Sequence, residues 1–349
     1  MKLSLLVPEL REAIAAGKTE ELRLFSESGH PSVIADFISA LTPDEAWEVL
    51  RQAPLERQAE IFSQIENDIQ VEMTEVMKRD DLARLLAEMS SDDRVDLFKA
   101  MPEEKQEMIL PALAQAERED IRRLASYAEG TAGSVMTSEY AVLVPELTAA
   151  EAIAKLRLEA PDKETIYSAY VIGERRELLG TVSLKDLILA RPEARVRDIM
   201  QTDIVFARAT DDQEEAARKI QKYDIIALPV VDNQKTLVGI ITYDDALDII
   251  TQEQTEDIEK LMAIAGRHEA FVYLRTSAWR HFRNRSLWIL ALALLGFVSG
   301  FIVQSFEGLL IQFAILATFM PMLADTGGNT GSQSATLIVR ALALKEVTV

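Results

Sequence analysis

Leu228-Pro229-Val230-Val231-Asp232, then Val238-Gly239-Ile240-Ile241-Thr242-Tyr243-Asp244-Asp245, decides how this chain is read. Two short β-branched runs face each other across a turn, and the second leads into a helix start. The same unit stands earlier. Ser134-Val135-Met136-Thr137 is followed by a strand, a helix, Ala169-Tyr170-Val171-Ile172, and Leu179-Gly180-Thr181-Val182-Ser183-Leu184-Lys185-Asp186. Asp198-Ile199-Met200 opens the later copy. The runs predict strands over 141–144, 168–172, 179–182, 204–207, 227–231 and 237–241. They predict helices over 149–159 and 213–222. Residues 131–250 are thus a doubled α/β unit, divided near 195.

Upstream, residues 1–130 read as all-helical, with Leu, Ala, Glu and Met recurring at three and four. An internal repeat at an offset of 48 matches Leu41-Thr42-Pro43-Asp44 to Met89-Ser90-Ser91-Asp92, and Ala53-Pro54 to Met101-Pro102. Thr42 with Glu45 has the form of a capping box, with Pro43 at the first helical position. Stacked helix pairs in a small solenoid are expected.

The chain has 349 residues and a formal net charge of −20. Residues 271–349 contain only Glu307, Asp325 and Glu346 as acids, so the acidity sits in the body before them. Such a body repels nucleic acid and attracts divalent cations. There is no cysteine, which excludes disulfides. The three histidines, with no nucleophile–base arrangement, give an enzyme nothing to work with.

Ser286 to Phe306 carries no formal charge and, at ~1.5 Å per residue, reaches across the roughly 30 Å hydrocarbon core of a bilayer. Arg275, Arg280, Arg283 and Arg285 precede it, which places that end and the acidic body on the cytoplasmic side. Glu307 and Gly308 are read as a tight turn. A second apolar stretch returns from Leu309 to about Val339, and Pro321 with Gly327, Gly328 and Gly331 is expected to break it. Asp325, Asn329 and Gln333 recur every four residues within it. They are oxygen ligands suited to a hard cation at membrane depth.

Between body and membrane, Asp244, Asp245, Asp248, Glu253, Glu256, Asp257 and Glu259 precede Lys260, the first basic residue of the run. Like charges at i,i+4 repel by a few tenths of a kcal/mol per pair. A divalent cation would remove that cost, although a solvated helix face has the same composition. Ser91-Asp92-Asp93-Arg94-Val95-Asp96 offers a matching acidic group, for which helix capping is the plainer explanation.

The doubled unit resembles a tandem pair of CBS domains, through its Met-Thr, Pro-Val-Val-Asp and Gly-Ile-Ile-Thr elements in order. In that family Gly-x-x-Ser/Thr-x-x-Asp holds adenosine ribose. Gly180, Ser183 and Asp186 fit it, as do Gly239, Thr242 and Asp245, and the same spacing is an ordinary helix N-cap. Taken with the acidic helical region, the Thr242–Ile258 run and Gly328-Asn329-Thr330-Gly331-Ser332-Gln333, the whole chain resembles an MgtE-type magnesium transporter.

That resemblance implies a multidomain fold with four parts. These are an all-α superhelical N-terminal domain (1–130), an α/β tandem CBS pair (131–250), a linker or plug helix (251–278) and an α-helical transmembrane segment (279–349). It further implies a homodimer in a cell (inner) membrane with cytoplasmic N-terminal domains. Its ions would be Mg²⁺, with ATP or another adenine nucleotide as a further ligand. Regulatory Mg²⁺ would bind Asp92, Asp93 and Asp96, Glu214 and Asp224, Asp244, Asp245 and Asp248, and Glu256, Asp257 and Glu259, and close the pore. Asp325, Asn329 and Gln333 would line that pore. Because the family has five membrane helices and two are expected here, the pore is expected to be incomplete. The runner-up reading is a membrane-anchored sensor of adenine nucleotides.

Overall fold

The computed structural model describes residues 3–261 and 278–343 and divides into two units, Met1–Ile250 and Thr251–Val349. In the first unit the chain opens with ten helices: α1 (Leu3–Ala15), α2 (Thr19–Glu27), α3 (Pro31–Ile38), α4 (Pro43–Leu50), α5 (Leu55–Ser63), α6 (Asn67–Val76), α7 (Arg79–Glu88), α8 (Ser91–Ala100), α9 (Glu103–Ile109) and α10 (Gln115–Leu124). Helix α1 packs chiefly on α2, and from there the even-numbered helices form one row, α2 on α4, α4 on α6, α6 on α8 and α8 on α10. The odd-numbered helices α3, α5, α7 and α9 form the companion row. Short helices cannot bury an apolar face alone, so stacking supplies the core. The internal repeat is explained by this. Helix α4 starts from a complete Thr42–Glu45 capping box with Pro43 at N1, and the matched prolines Pro54 and Pro102 are the N-caps of α5 and α9.

The doubled unit follows as two three-stranded sheets. The first is β1 (Tyr140–Leu143), β2 (Thr165–Ile172) and β3 (Leu178–Ser183), with α11 (Ala149–Glu159) crossing between parallel β1 and β2. Helices α12 (Leu184–Leu189) and α13 (Val196–Ile199) come next. The second sheet is β4 (Ala207–Arg208), β5 (Ala227–Val231) and β6 (Leu237–Thr242), with α14 (Gln213–Tyr223) as its crossover and α15 (Tyr243–Leu261) following it. The strand expected over 204–207 is shorter, because only Ala207 and Arg208 find partners, in Val230 and Val231.

The two copies exchange their leading segments. Thr137 pairs with Ile240 of the second sheet, and Gln201 pairs with Thr181 of the first. Glycine permits both approaches. A Cβ on Gly239 would lie 2.5 Å from Met136 Sδ and 2.9 Å from the Thr137 carbonyl; one on Gly180 would lie 2.8 Å from Met200 Sδ. Between the sheets, Tyr170 is fully buried and donates its hydroxyl to the Ala227 carbonyl at 3.1 Å, and Tyr140 donates to that of Leu237 at 3.0 Å.

One apolar core runs from Leu22, Leu50, Phe62 and Leu86 in the helical domain through Met136 into Leu228, Val230, Ile241 and Ile249 of the second copy. The first copy keeps its own core, with Leu143, Leu156, Val171 and Leu187.

The second unit contains α16 (Ala278–Ser305), α17 (Glu307–Gln312) and α18 (Ile315–Ala343). Trp288–Ser305 has a mean hydropathy of 1.9 and is, among the described residues, the one stretch long and apolar enough to cross a membrane by length and composition. The turn expected at Glu307 is a short helix, favoured by an acid in its first turn. The break expected at Pro321 is also absent, since α18 continues through Pro321, Gly327, Gly328 and Gly331. Proline removes one donor, and each glycine costs only about 1 kcal/mol against alanine, so a helix of 29 residues accommodates them. Of the expected linker, residues 262–277 lie outside the described residues.

Candidate functional site

The Asp92–Asp96 run and the start of α15 meet where the helical domain docks on the CBS-like pair. Docking is fixed by hydroxyls. Ser91, at the first turn of α8, lies 3.0 Å from the Thr137 hydroxyl and accepts the Ser138 amide at 2.8 Å. Ser138 in turn donates to Asp120 of α10 at 2.8 Å. Thr137 is the residue that pairs with Ile240, so α8 is tied to β6 and hence to the N-terminus of α15. Ser91 and Thr137 are both fully buried.

Around this joint carboxylates crowd. Burial pushes the Asp92 carboxyl up, with Asp244 adding repulsion, while Ser90 and nearby amides oppose it. Its Oδ1 atom is buried without a hydrogen-bond partner. Burial raises Asp93 to about 6, with Asp92 and Asp244 contributing. Asp245 is raised to about 7 by burial and by Asp92, even though Thr242 donates to it at 2.5 Å. Asp248 is shifted upward by burial and by Asp244, but its side chain is exposed and solvent screens it. Burial also lifts Asp96 to about 7, but its side chain is exposed and solvent screens it. The weight therefore falls on Asp92, Asp93 and Asp245.

The sequence did not single out Glu139 or Glu164, raised by burial and neighbouring acids to about 7 and about 8. Glu164 is exposed, and solvent screens it as it does Asp96. With Glu56, Glu60, Glu88 and Asp93 it lines a cavity of about 420 Å³. No spacing rule connects these positions; the folded domains bring them together. Among the described residues no three carboxylate or imidazole groups form a ready-made cation cage.

Other expected ligands are placed elsewhere. Glu214 is paired with Arg218 at 2.5 Å along α14, and Asp224 is the left-handed C-cap of that helix, with φ 51°. Glu256 and Asp257 are half-buried on α15. The Glu259 side chain lies outside the described residues. Asp325, Asn329 and Gln333 fall on α18 at four-residue spacing and are exposed.

Both candidate ribose carboxylates sit in helix N-caps. Ser183 donates to Asp186 at 2.7 Å and accepts its amide at 3.0 Å, and Asp245 accepts the Thr242 amide at 3.3 Å. The two differ in company, since like charges crowd Asp245.

Comparison with known proteins follows these boundaries. Residues 29–130 match the MgtE intracellular N domain, 132–193 and 196–252 match CBS domains, and 320–349 match a divalent cation transporter family. A magnesium transporter MgtE of Thermus thermophilus is 39% identical over 98% of this chain and 76% of its own length. The chain belongs to the MgtE family. An MgtE of Bacillus subtilis is 39% identical over 68% of the chain, a match that spans about half of that relative. Two solved structures share the fold of the soluble body. The soluble part of a magnesium transporter matches with TM-score 0.67 at 30% identity, over 72% of this chain and 99% of its own. The cytosolic domain of the Mg²⁺ channel MgtE in complex with ATP matches with TM-score 0.66 at 38% identity, over 70% and 100%. MgtE proteins are membrane transporters rather than enzymes, and the α/β pair is a tandem CBS module.

Proposed function

We propose that this MgtE-family chain takes part in Mg²⁺ transport as a homodimer, and that Mg²⁺ bound at the acidic joint closes the pathway. The observation that carries the reading is the buried, unpartnered Oδ1 of Asp92, surrounded by carboxylates on α8 and α15. An acidic cluster alone is an ordinary surface feature. A desolvated carboxylate oxygen without a donor, at a docking joint, costs free energy that a cation would recover. The open arrangement suits Mg²⁺, which keeps several waters and needs only one or two carboxylates.

In this reading Mg²⁺ relieves repulsion between α8 and the first turns of α15, and α15 carries the effect toward the membrane segment. Asp325, Asn329 and Gln333 are proposed to face the ion path. Shifting a two-state gate from 1:99 to 99:1 needs about 5.5 kcal/mol of differential binding, which several weak sites share. Exposed Leu158, Ile188 and Leu189 on the helices of the first CBS motif supply apolar surface for a second copy.

Flux through vesicles reconstituted with a complete MgtE-family membrane domain joined to this soluble body is expected to fall as Mg²⁺ on the side of the soluble body rises into the millimolar range. Asp248→Asn with Glu259→Gln should raise the inhibitory concentration several-fold and leave flux at low Mg²⁺ intact. Closure at the same concentration in this variant would contradict the lever.

Nucleotide binding is a second reading, supported by the ATP complex of the 38% identical neighbour. Asp245 stands among acids that repel phosphates, whereas Asp186 lies outside that group, so the first motif is the proposed site. Asp186→Ala is expected to lower ATP affinity at least tenfold by calorimetry, and Asp245→Ala to leave it nearly unchanged. The reverse ranking would move the site to the second motif.

A further inference from the structure

One buried cation stands among these acids. Arg94 is 5% exposed. Its Nε donates to the Leu86 carbonyl at 2.6 Å and its Nη2 to that of Met89 at 2.6 Å. These are carbonyls at the end of α7 that helix geometry leaves unsatisfied. The same Nη2 lies 3.8 Å from Glu139 Oε1, in the segment that carries Thr137 and Ser138. A single side chain thus joins α7, α8 and the CBS pair, two residues beyond Asp92.

Carbonyl oxygens satisfy the donors of a guanidinium without cancelling its charge. Burying that charge is costly unless anions stand near it. The anion here is Glu139, at ion-pair distance, which is itself pushed up by burial and by Asp92 of α8 and held down by Arg94. We infer that Arg94 is the fixed counter-charge of the acidic joint. It positions Glu139 and limits how tightly the joint takes Mg²⁺. This rests on the metal reading above.

The charge can be separated from the packing. Like charges repel, and the more so where water is scarce. Removing a cation beside the site should therefore tighten Mg²⁺ binding, whereas a purely structural loss should loosen it. Arg94→Gln keeps a donor for the α7 carbonyls and drops the charge; Arg94→Lys keeps the charge and drops the planar fork. With the full chain in detergent and Mg²⁺ titrated calorimetrically at constant ionic strength, Arg94→Gln is expected to bind Mg²⁺ about tenfold tighter. Arg94→Lys should match the parent affinity.

Equal or weaker Mg²⁺ binding by Arg94→Gln, or the same change in both variants, would overturn the inference. Should Arg94→Gln not fold, Glu139→Gln decides. It frees the Arg94 charge to oppose the ion and so should weaken Mg²⁺ several-fold more than Glu164→Gln, and equal weakening would count against the inference. If the parent takes up no Mg²⁺, the metal reading itself fails and this inference falls with it.

Discussion

Asp92→Asn combined with Asp245→Asn is expected to abolish most of the stabilisation that Mg²⁺ gives the soluble body. A ligand at 100 times its Kd stabilises by about 2.7 kcal/mol per site, and these two carboxylates contribute from both sides of the joint. In Mg²⁺-free buffer the variant should stay within about 1 kcal/mol of the parent. Two effects oppose there. Neutralisation relieves the repulsion of buried like charges, while the change at Asp245 weakens its acceptance from Thr242 at the helix start, worth about 1 kcal/mol. Urea denaturation of the full chain in detergent, with and without 10 mM Mg²⁺, reads the difference. Parent-like Mg²⁺ stabilisation in the double variant would place the ion elsewhere.

The second large effect is an inverted pH dependence. Asp93, Glu139 and Asp245 are raised to about 6, 7 and 7, against ordinary values of 3.8, 4.5 and 3.8. Between the unfolded and folded values the native state holds protons that the unfolded chain has released, so stability falls as pH rises. The contribution is complete below about pH 4 and lost by about pH 7. Divalent-free protein is therefore expected to melt at a higher temperature at pH 5.5 than at pH 8, by several degrees. Saturating Mg²⁺ should flatten this slope by taking the place of the protons. A melting temperature that rises steadily from pH 5.5 to 8 without Mg²⁺ would show that these carboxylates are not crowded in solution.

Much of this architecture was legible because local signals agreed. Helix α11 has the expected bounds, since Thr148 caps it with a complete box and β-branched strands flank it. The Thr42–Glu45 box marked a helix start that the structure keeps, and the prolines matched by the repeat, at 54 and 102, fall at two others. Asp92 and Asp245 stood out as members of acidic runs. What could not be read came from tertiary contact. Glu139 and Glu164 gain their character only when α8 docks, and Met136 and Met200 reach the opposite sheets through exchanged segments. Nothing in the acidic run of 91–96 marks Arg94 as the residue that is buried against α7. The continuity of α18 was not legible, because Pro321 and three glycines carry helix penalties of roughly 3 and 1 kcal/mol each that the helix nonetheless bears.

Limited proteolysis of the full chain across a millimolar Mg²⁺ titration, at matched ionic strength with Na⁺ as control, tests the central claim most directly. Protection of the α10–β1 junction and of the segment 245–275 should appear together, with Mg²⁺ and not with Na⁺, and be lost in the Asp92→Asn, Asp245→Asn variant. Cleavage that is indifferent to Mg²⁺ at both places would contradict the account and leave the acidic joint as a solvated surface.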